Sequence, residues 1–113
     1  MHSNTLIVNQ QSIPLDPQGY LENRSDWNPA VAQALAQQEH LELSDAHWEL
    51  IELIQRFYRE FEHSPANRIL IKYVKQHLGE AKGNSIYVMQ LFPGTPAKRI
   101  AKIAGLPRPT HCL

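Results

Sequence analysis

Apolar residues recur along this chain in two rhythms. Near the N-terminus Leu6-Ile7-Val8 is a short β-branched run. Ser12-Ile13-Pro14-Leu15 can return beside it through Gln10-Gln11, which predicts a β-hairpin. Two glutamines suit a tight hairpin turn poorly, and Pro14, lacking an N–H, fits only an edge position. Asp16-Pro17-Gln18-Gly19 places proline second and glycine fourth, the order of a β-turn. Beyond it the spacing changes to threes and fours. Asn28-Pro29 is a cap followed by proline at the first helical position and predicts a helix through Ala30–Gln38. Ser44 predicts the cap of a second helix reaching about Phe61. Its stripe is Trp48, Ile51, Ile54, Tyr58 and Phe61, widened by Leu50, Leu53 and Phe57, so it is buried on more than one side. Ser64-Pro65 opens a helix to Leu78, with Gly79 as the residue that ends it. A shorter helix begins near Asn84-Ser85 and stops before Pro93. Thr95-Pro96 starts the last one, which Gly105 closes.

The pattern therefore predicts a mainly α fold of about five helices behind a small N-terminal β-hairpin. Trp48, Ile51, Ile54, Tyr58, Leu70 and Val74 should share one core. Residues 1–105 read as a single domain and residues 106–113 as a mobile C-terminal arm. Two prolines, Pro107 and Pro109, forbid helix in the arm and favour an extended form. At ~3.1 Å per residue those residues reach roughly 25 Å.

Composition adds boundaries. With 113 residues and 42% apolar content, there is material for one core, which excludes wholesale disorder. Unbroken apolar runs last only a few residues, so no membrane span is expected. Met1-His2-Ser3-Asn4 has neither the basic nor the apolar part of a secretory leader, so the expected location is the cytoplasm. The zero net charge hides a polarity. Residues 1–63 carry three basic and ten acidic residues, a net −7, and residues 64–113 carry eight basic and one acidic, a net +7. Either the second half meets an acidic or nucleic-acid partner, or the halves pair inside one fold.

Candidate chemistry concentrates at the arm. Cys112 is the sole cysteine, so no intramolecular disulfide and no cysteine zinc cage can form. A cysteine at the end of a proline-rich arm is poorly placed for core packing and well placed for reaction. Its thiolate is the reactive form; the basic neighbours Arg108 and His111 can favour it, and the terminal carboxylate of Leu113 works the other way. The six histidines lack metal spacing, so neither a metal nor a cofactor is expected. Gly79, Lys82, Gly83 and Asn84 read as a turn between helices, since no phosphate-loop pattern is present. Arg68, Lys72 and Lys75 form a solvated basic face, and a helix-turn-helix reading of residues 44–78 is the weaker alternative to a plain helical hairpin.

Several segments together carry a resemblance. They are Gly19-Tyr20-Leu21, Trp48-Glu49-Leu50-Ile51, Ser64-Pro65-Ala66, Gly83-Asn84-Ser85-x-Tyr87, Leu91-Phe92-Pro93 and Pro96-Ala97-Lys98. The last is Lys102-Ile103-Ala104-Gly105-Leu106-Pro107-Arg108-Pro109-Thr110-His111-Cys112-Leu113. In this order they resemble the DsrC/TusE family over nearly the whole chain. The resemblance implies a helical fold with a flexible arm whose penultimate cysteine, here Cys112, carries sulfur as a persulfide. Two-cysteine members of the DsrC type, the partners of sulfite reductase, have a second cysteine where this chain has Ala101. The departure removes their disulfide chemistry and leaves the one-cysteine pattern of the TusE members. Gly94-Thr95 also departs, where relatives often have a basic residue and glycine. The implied function is a sulfurtransferase relay. Sulfur is received from a TusBCD-like donor complex and presented to an MnmA-like tRNA thiolase for 2-thiolation of the wobble uridine. Direct nucleic-acid binding by the chain itself is expected to be weak or absent. The competing reading is a sulfur-linked regulatory or DNA-binding module without a tRNA role.

Overall fold

The computed structural model describes residues 4–110. Two strands, β1 (Asn4–Val8) and β2 (Gln11–Leu15), pair antiparallel with Leu6 opposite Ile13 and Val8 opposite Gln11. The turn is Asn9-Gln10, one residue earlier than Gln10-Gln11. Both residues have positive φ, 50° and 68°, as a two-residue hairpin turn of matching twist requires, and asparagine tolerates that conformation well. The shift follows from burial: this register puts Leu6, Val8, Ile13 and Leu15 on one inward face. Counting back from the closing pair, Pro14 stands opposite Thr5 at a non-hydrogen-bonded position and needs no N–H there. Asp16 organises the turn that follows. Its carboxylate accepts from the amides of Gln18 and Tyr20, both at 2.9 Å.

A single 3-10 turn, Arg24–Asp26, precedes α1 (Pro29–Gln38), α2 (Asp45–Phe61), α3 (Asn67–Leu78), α4 (Ser85–Leu91) and α5 (Pro96–Ile103). No helix among the described residues is long and apolar enough to cross a membrane. One short helix matters most to the layout. α5 packs against α1, α2 and α3, and α1 also covers β1. Ala97, Ile100, Ala101 and Ile103 of α5 are fully buried. The helix that leads into residues 106–110 is thus the hub of the core.

The core differs from the predicted stripe in one respect. Ile51, Ile54, Leu70 and Val74 are buried as expected, whereas Trp48 and Tyr58 are only partly buried against the core and Phe61 is 47% exposed. α2 buries Leu50, Ile51, Leu53, Ile54 and Phe57 instead. A 17-residue helix is about 25 Å long. Its last turn carries Phe61, whose ring lies 4.6 Å from Phe57 and 6.4 Å from Tyr73 of α3 yet stays largely exposed.

The expected caps of α1 and α2 form, and Asn84, at the expected start of α4, caps that helix. Asn28 accepts from Val31 N at 2.9 Å and Asn84 from Tyr87 N at 2.9 Å. Ser44 caps α2 reciprocally with His47, whose Nδ1 accepts from the Ser44 amide at 3.1 Å. The His47 Nε2–H reaches the Leu91 carbonyl at 2.8 Å, tying α2 to the end of α4. Two predicted caps fail. Ala66, not Ser64, precedes α3, and Thr95 makes no capping bond to α5. The amide of Ala97 in the first turn of α5 is taken by Asn67 Oδ1 at 2.9 Å, from the first residue of α3. Gly79 is the capping residue of α3 rather than the one after it.

Candidate functional site

The arm's described part begins with an unusually complete helix ending. Gly105 (φ 76°) follows the capping residue Ala104 of α5. The Gly105 amide bonds Lys102 O at 3.1 Å and the Leu106 amide bonds Ala101 O at 2.9 Å. This is a Schellman motif, and Leu106 supplies its buried hydrophobic contact. The next carbonyls are met by side chains from elsewhere. Trp27 Nε1 donates to Ile103 O at 2.8 Å and Gln55 Nε2 to Ala104 O at 3.0 Å. Ser64 Oγ donates to Pro107 O at 2.6 Å. A Cβ on Gly105 would stand 2.5 Å from Trp27 Cδ1, so the backbone lies directly on the indole. Beyond this point Pro107, Arg108 and Thr110 are exposed, while Pro109 is buried.

Of the three residues predicted for the site, Arg108 is exposed at the arm's root. His111 and Cys112 lie outside the described residues. Arg108 lines two grooves. The larger, about 660 Å³, also has Tyr20, Arg24, Tyr58 and Pro107 on its walls. Arg24 lies over the Tyr58 ring at 4.5 Å. The smaller, about 180 Å³, is bordered by Lys98, Arg99, Lys102 and Glu39. Glu39 is shared by two cations, Arg99 Nε at 3.1 Å and Lys102 Nζ at 3.4 Å. Tyr20 donates its hydroxyl to Lys98 O at 3.2 Å and sits 5.3 Å beneath Lys102 Nζ.

Other candidates resolve into structure. Gly83 lies against the α3 backbone at Lys75, where a Cβ would collide. Lys82 is hydrogen-bonded to Glu49 at 2.8 Å, and that bond is the main cause holding its ammonium above the usual lysine value. These residues form a packed turn. Arg68, Lys72 and Lys75 are exposed, and Lys75 is within 3.7 Å of Glu80. Among the described residues no three histidine, cysteine or acidic groups converge as metal ligands would. Ala101 is fully buried within α5.

Trp27, Gln55 and Ser64 were not singled out as functional from sequence. Ser64-Pro65 carried a signal, but it read as a helix cap.

The comparisons with known proteins agree with this layout. A family model described as "DsrC like protein" matches residues 7–113. The chain is 52% identical over 108 residues to "Sulfurtransferase TusE" of Photorhabdus laumondii, covering 96% of this chain and 97% of that one. It is 47% identical to "Sulfurtransferase TusE homolog" of Haemophilus influenzae, over 96% of this chain and 99% of the relative. The solution structure of Allochromatium vinosum DsrC superposes with a TM-score of 0.89 at 43% identity, covering 99% of this chain and 100% of that one. The oxidized gamma-subunit of dissimilatory sulfite reductase (DsrC) from Archaeoglobus fulgidus gives 0.83 at 33% identity, covering 97% and 100% respectively.

Proposed function

Because this chain belongs to the DsrC-like family, we propose that it is a sulfurtransferase carrying persulfide sulfur on Cys112 toward 2-thiolation of the tRNA wobble uridine. The observation that carries the reading is the family match itself, which runs through Cys112 over residues 7–113. The named sulfurtransferase relatives support it. On this reading residues 1–105 are the body and 106–113 the delivering arm. The donor is a TusBCD-like complex, the acceptor an MnmA-like thiolase, and the location the cytoplasm.

The chemistry needs no oxidant. The Cys112 thiolate attacks the outer sulfur of a donor persulfide. The donor's S–S bond breaks, a new S–S bond forms on Cys112, and the donor leaves as a thiolate. The transferred sulfur keeps its oxidation state, and the second transfer repeats the exchange in reverse order. A neighbouring thiol would attack the loaded persulfide, close a disulfide and release sulfide. With one cysteine in the chain and alanine at position 101, that loss has no internal route.

The test is intact mass after incubation with the donor complex, a cysteine desulfurase and cysteine. Wild type should gain about 32 Da, one sulfur as a persulfide. Cys112→Ser should gain nothing and melt at the wild-type temperature. Sulfur uptake by Cys112→Ser would refute the assignment. A melting point lowered by many degrees would make Cys112 a packing residue instead.

A further inference from the structure

We propose that Ser64, with Gln55 and Trp27, is a positioning residue for sulfur transfer: the three donors fix the path by which the chain leaves α5 and the direction in which it runs on toward Cys112. The proposal rests on the carrier reading of Cys112 and concerns what aims it. The donors come from three separate places, Trp27 before α1, Gln55 within α2 and Ser64 between α2 and α3. Trp27 and Gln55 meet the last carbonyls of α5, which any buried helix end requires. Ser64 is different. Its partner belongs to Pro107, an exposed residue whose carbonyl water could satisfy. The hydroxyl is nevertheless brought to 2.6 Å, a short O–H···O distance, from a serine only 7% exposed. Apart from the tyrosines, Ser64 is the one buried polar side chain among the described residues.

The donor is also held rigidly. Pro65 is fully buried and confines Ser64 to extended backbone. The chain it holds is stiff in turn, because Pro107 and Pro109 lack rotation about φ. Pro109, two residues on, is buried again, so the chain is laid along the body from Pro107 to Pro109. The three residues from Pro109 to Cys112 can span at most about 11 Å, so an error of about 20° in the direction of the root displaces the far end by roughly 4 Å, outside the contact distance that a displacement reaction needs.

A positioning role and a structural role separate when two sulfur donors are compared. Loading of wild type, Ser64→Ala and Gln55→Met is followed by intact mass. One donor is glutathione persulfide, which diffuses to Cys112 wherever the arm lies. The other is the charged donor complex, whose own cleft the arm must enter. For both variants the rate constant with glutathione persulfide should stay within about twofold. kcat/KM with the protein donor should fall about three- to tenfold, the factor that one lost hydrogen bond represents. Equal slowing with both donors, or no slowing with either, overturns the proposal. A nitroxide attached to Cys112 reads the same device without sulfur: its spectrum should narrow in Ser64→Ala, and an unchanged line shape contradicts a fixed arm origin. Failure of the carrier reading looks different, since wild type itself would then take no sulfur from the protein donor.

Discussion

Replacing Gly105 with alanine tests the geometry at the root of the arm in energetic terms. Two penalties add there. The first is conformational: at φ 76° an L side chain is strained, by about 1 kcal/mol. The second is a contact, because the new Cβ would lie 2.5 Å from Trp27 Cδ1 and 2.7 Å from Cγ. The indole must move, which breaks the Trp27 Nε1 bond to Ile103 O, worth about 1 kcal/mol net. It also loosens the ring's packing by a comparable amount. Gly94 provides the control. Its φ is 87°, but nothing lies within 4 Å of its Cβ position. Gly94→Ala therefore carries the conformational penalty alone, and the change in unfolded-chain entropy is common to both variants and cancels in their difference. The expected difference is about 2 kcal/mol. For a domain of this size it corresponds to roughly 8 °C in melting temperature. Thermal melts followed by far-UV circular dichroism, with urea titrations to check the slope, measure it directly. If the two variants melt within about 2 °C of each other, the close approach of Gly105 to Trp27 does not exist in solution.

Two further substitutions test interior details. His47→Ala should destabilise by about 2 kcal/mol, the α2 cap and the Leu91 bond contributing about equally, and His47→Glu should recover roughly the cap half. Chemical denaturation of both measures this, and equal losses for Ala and Glu would contradict the shared role. Tyr73→Phe should be neutral or stabilising by up to about 1 kcal/mol, because the buried Tyr73 hydroxyl has no hydrogen-bond partner. Burial first and the Glu60 carboxylate second raise the Tyr73 phenol above 10.0. The folded state therefore holds that proton more tightly than the unfolded one. This contribution is fully present below pH 10.0 and is lost as the pH rises through the elevated folded-state value. Melts across that range should fall more steeply in wild type than in Tyr73→Phe.

One local motif illustrates how far sequence alone reached. A small polar residue followed by proline occurs at Asn28-Pro29, Ser64-Pro65 and Thr95-Pro96. Each reads as a helix start, and a helix does begin at or just after each. The side chains have three fates: Asn28 caps its own helix, Thr95 caps nothing, and Ser64 turns to the arm. Local chemistry offers the cap, but tertiary neighbours choose the partner of a short polar side chain. The same reasoning explains why Gln55 and Trp27 escaped notice. Their acceptors lie 49 and 76 residues away, and nothing in a helix-period pattern marks a glutamine that reaches a distant carbonyl. The hairpin turn shifted by one residue because the run Leu6-Ile7-Val8 does not itself alternate. The register was decided by Leu6 and Val8 burying together while Ile7 stays 63% exposed. By contrast, Gly105 closing the last helix was legible, since the positive φ that follows a helix end favours glycine.

The charge split along the chain closes only in part on itself in the fold: three of the eight bases of the second half pair with two of the ten acids of the first. Among the described residues four ion pairs form. Three of them, Lys82–Glu49, Arg99–Glu39 and Lys102–Glu39, join a base of the second half to an acid of the first. Each contributes little stability, because the side chains involved are one-fifth or more exposed to solvent. Their larger effect is to quench the cationic face that α5 would otherwise present. Bases outside those pairs remain exposed, Arg68 and Lys72 on α3 among them. Salt screening over about 10 Å weakens what remains. The charge left beside the arm is local, from Lys98 and Arg108 at the mouths of the two grooves. Such charges act once surfaces are already close, where they favour correct orientation over capture from a distance. Geometry adds to that orientation. A helix end buried at the hub of the core, finished by a Schellman motif and met by three side-chain donors, gives the residues that follow a fixed origin, which is what the proposed carrier role of Cys112 calls for.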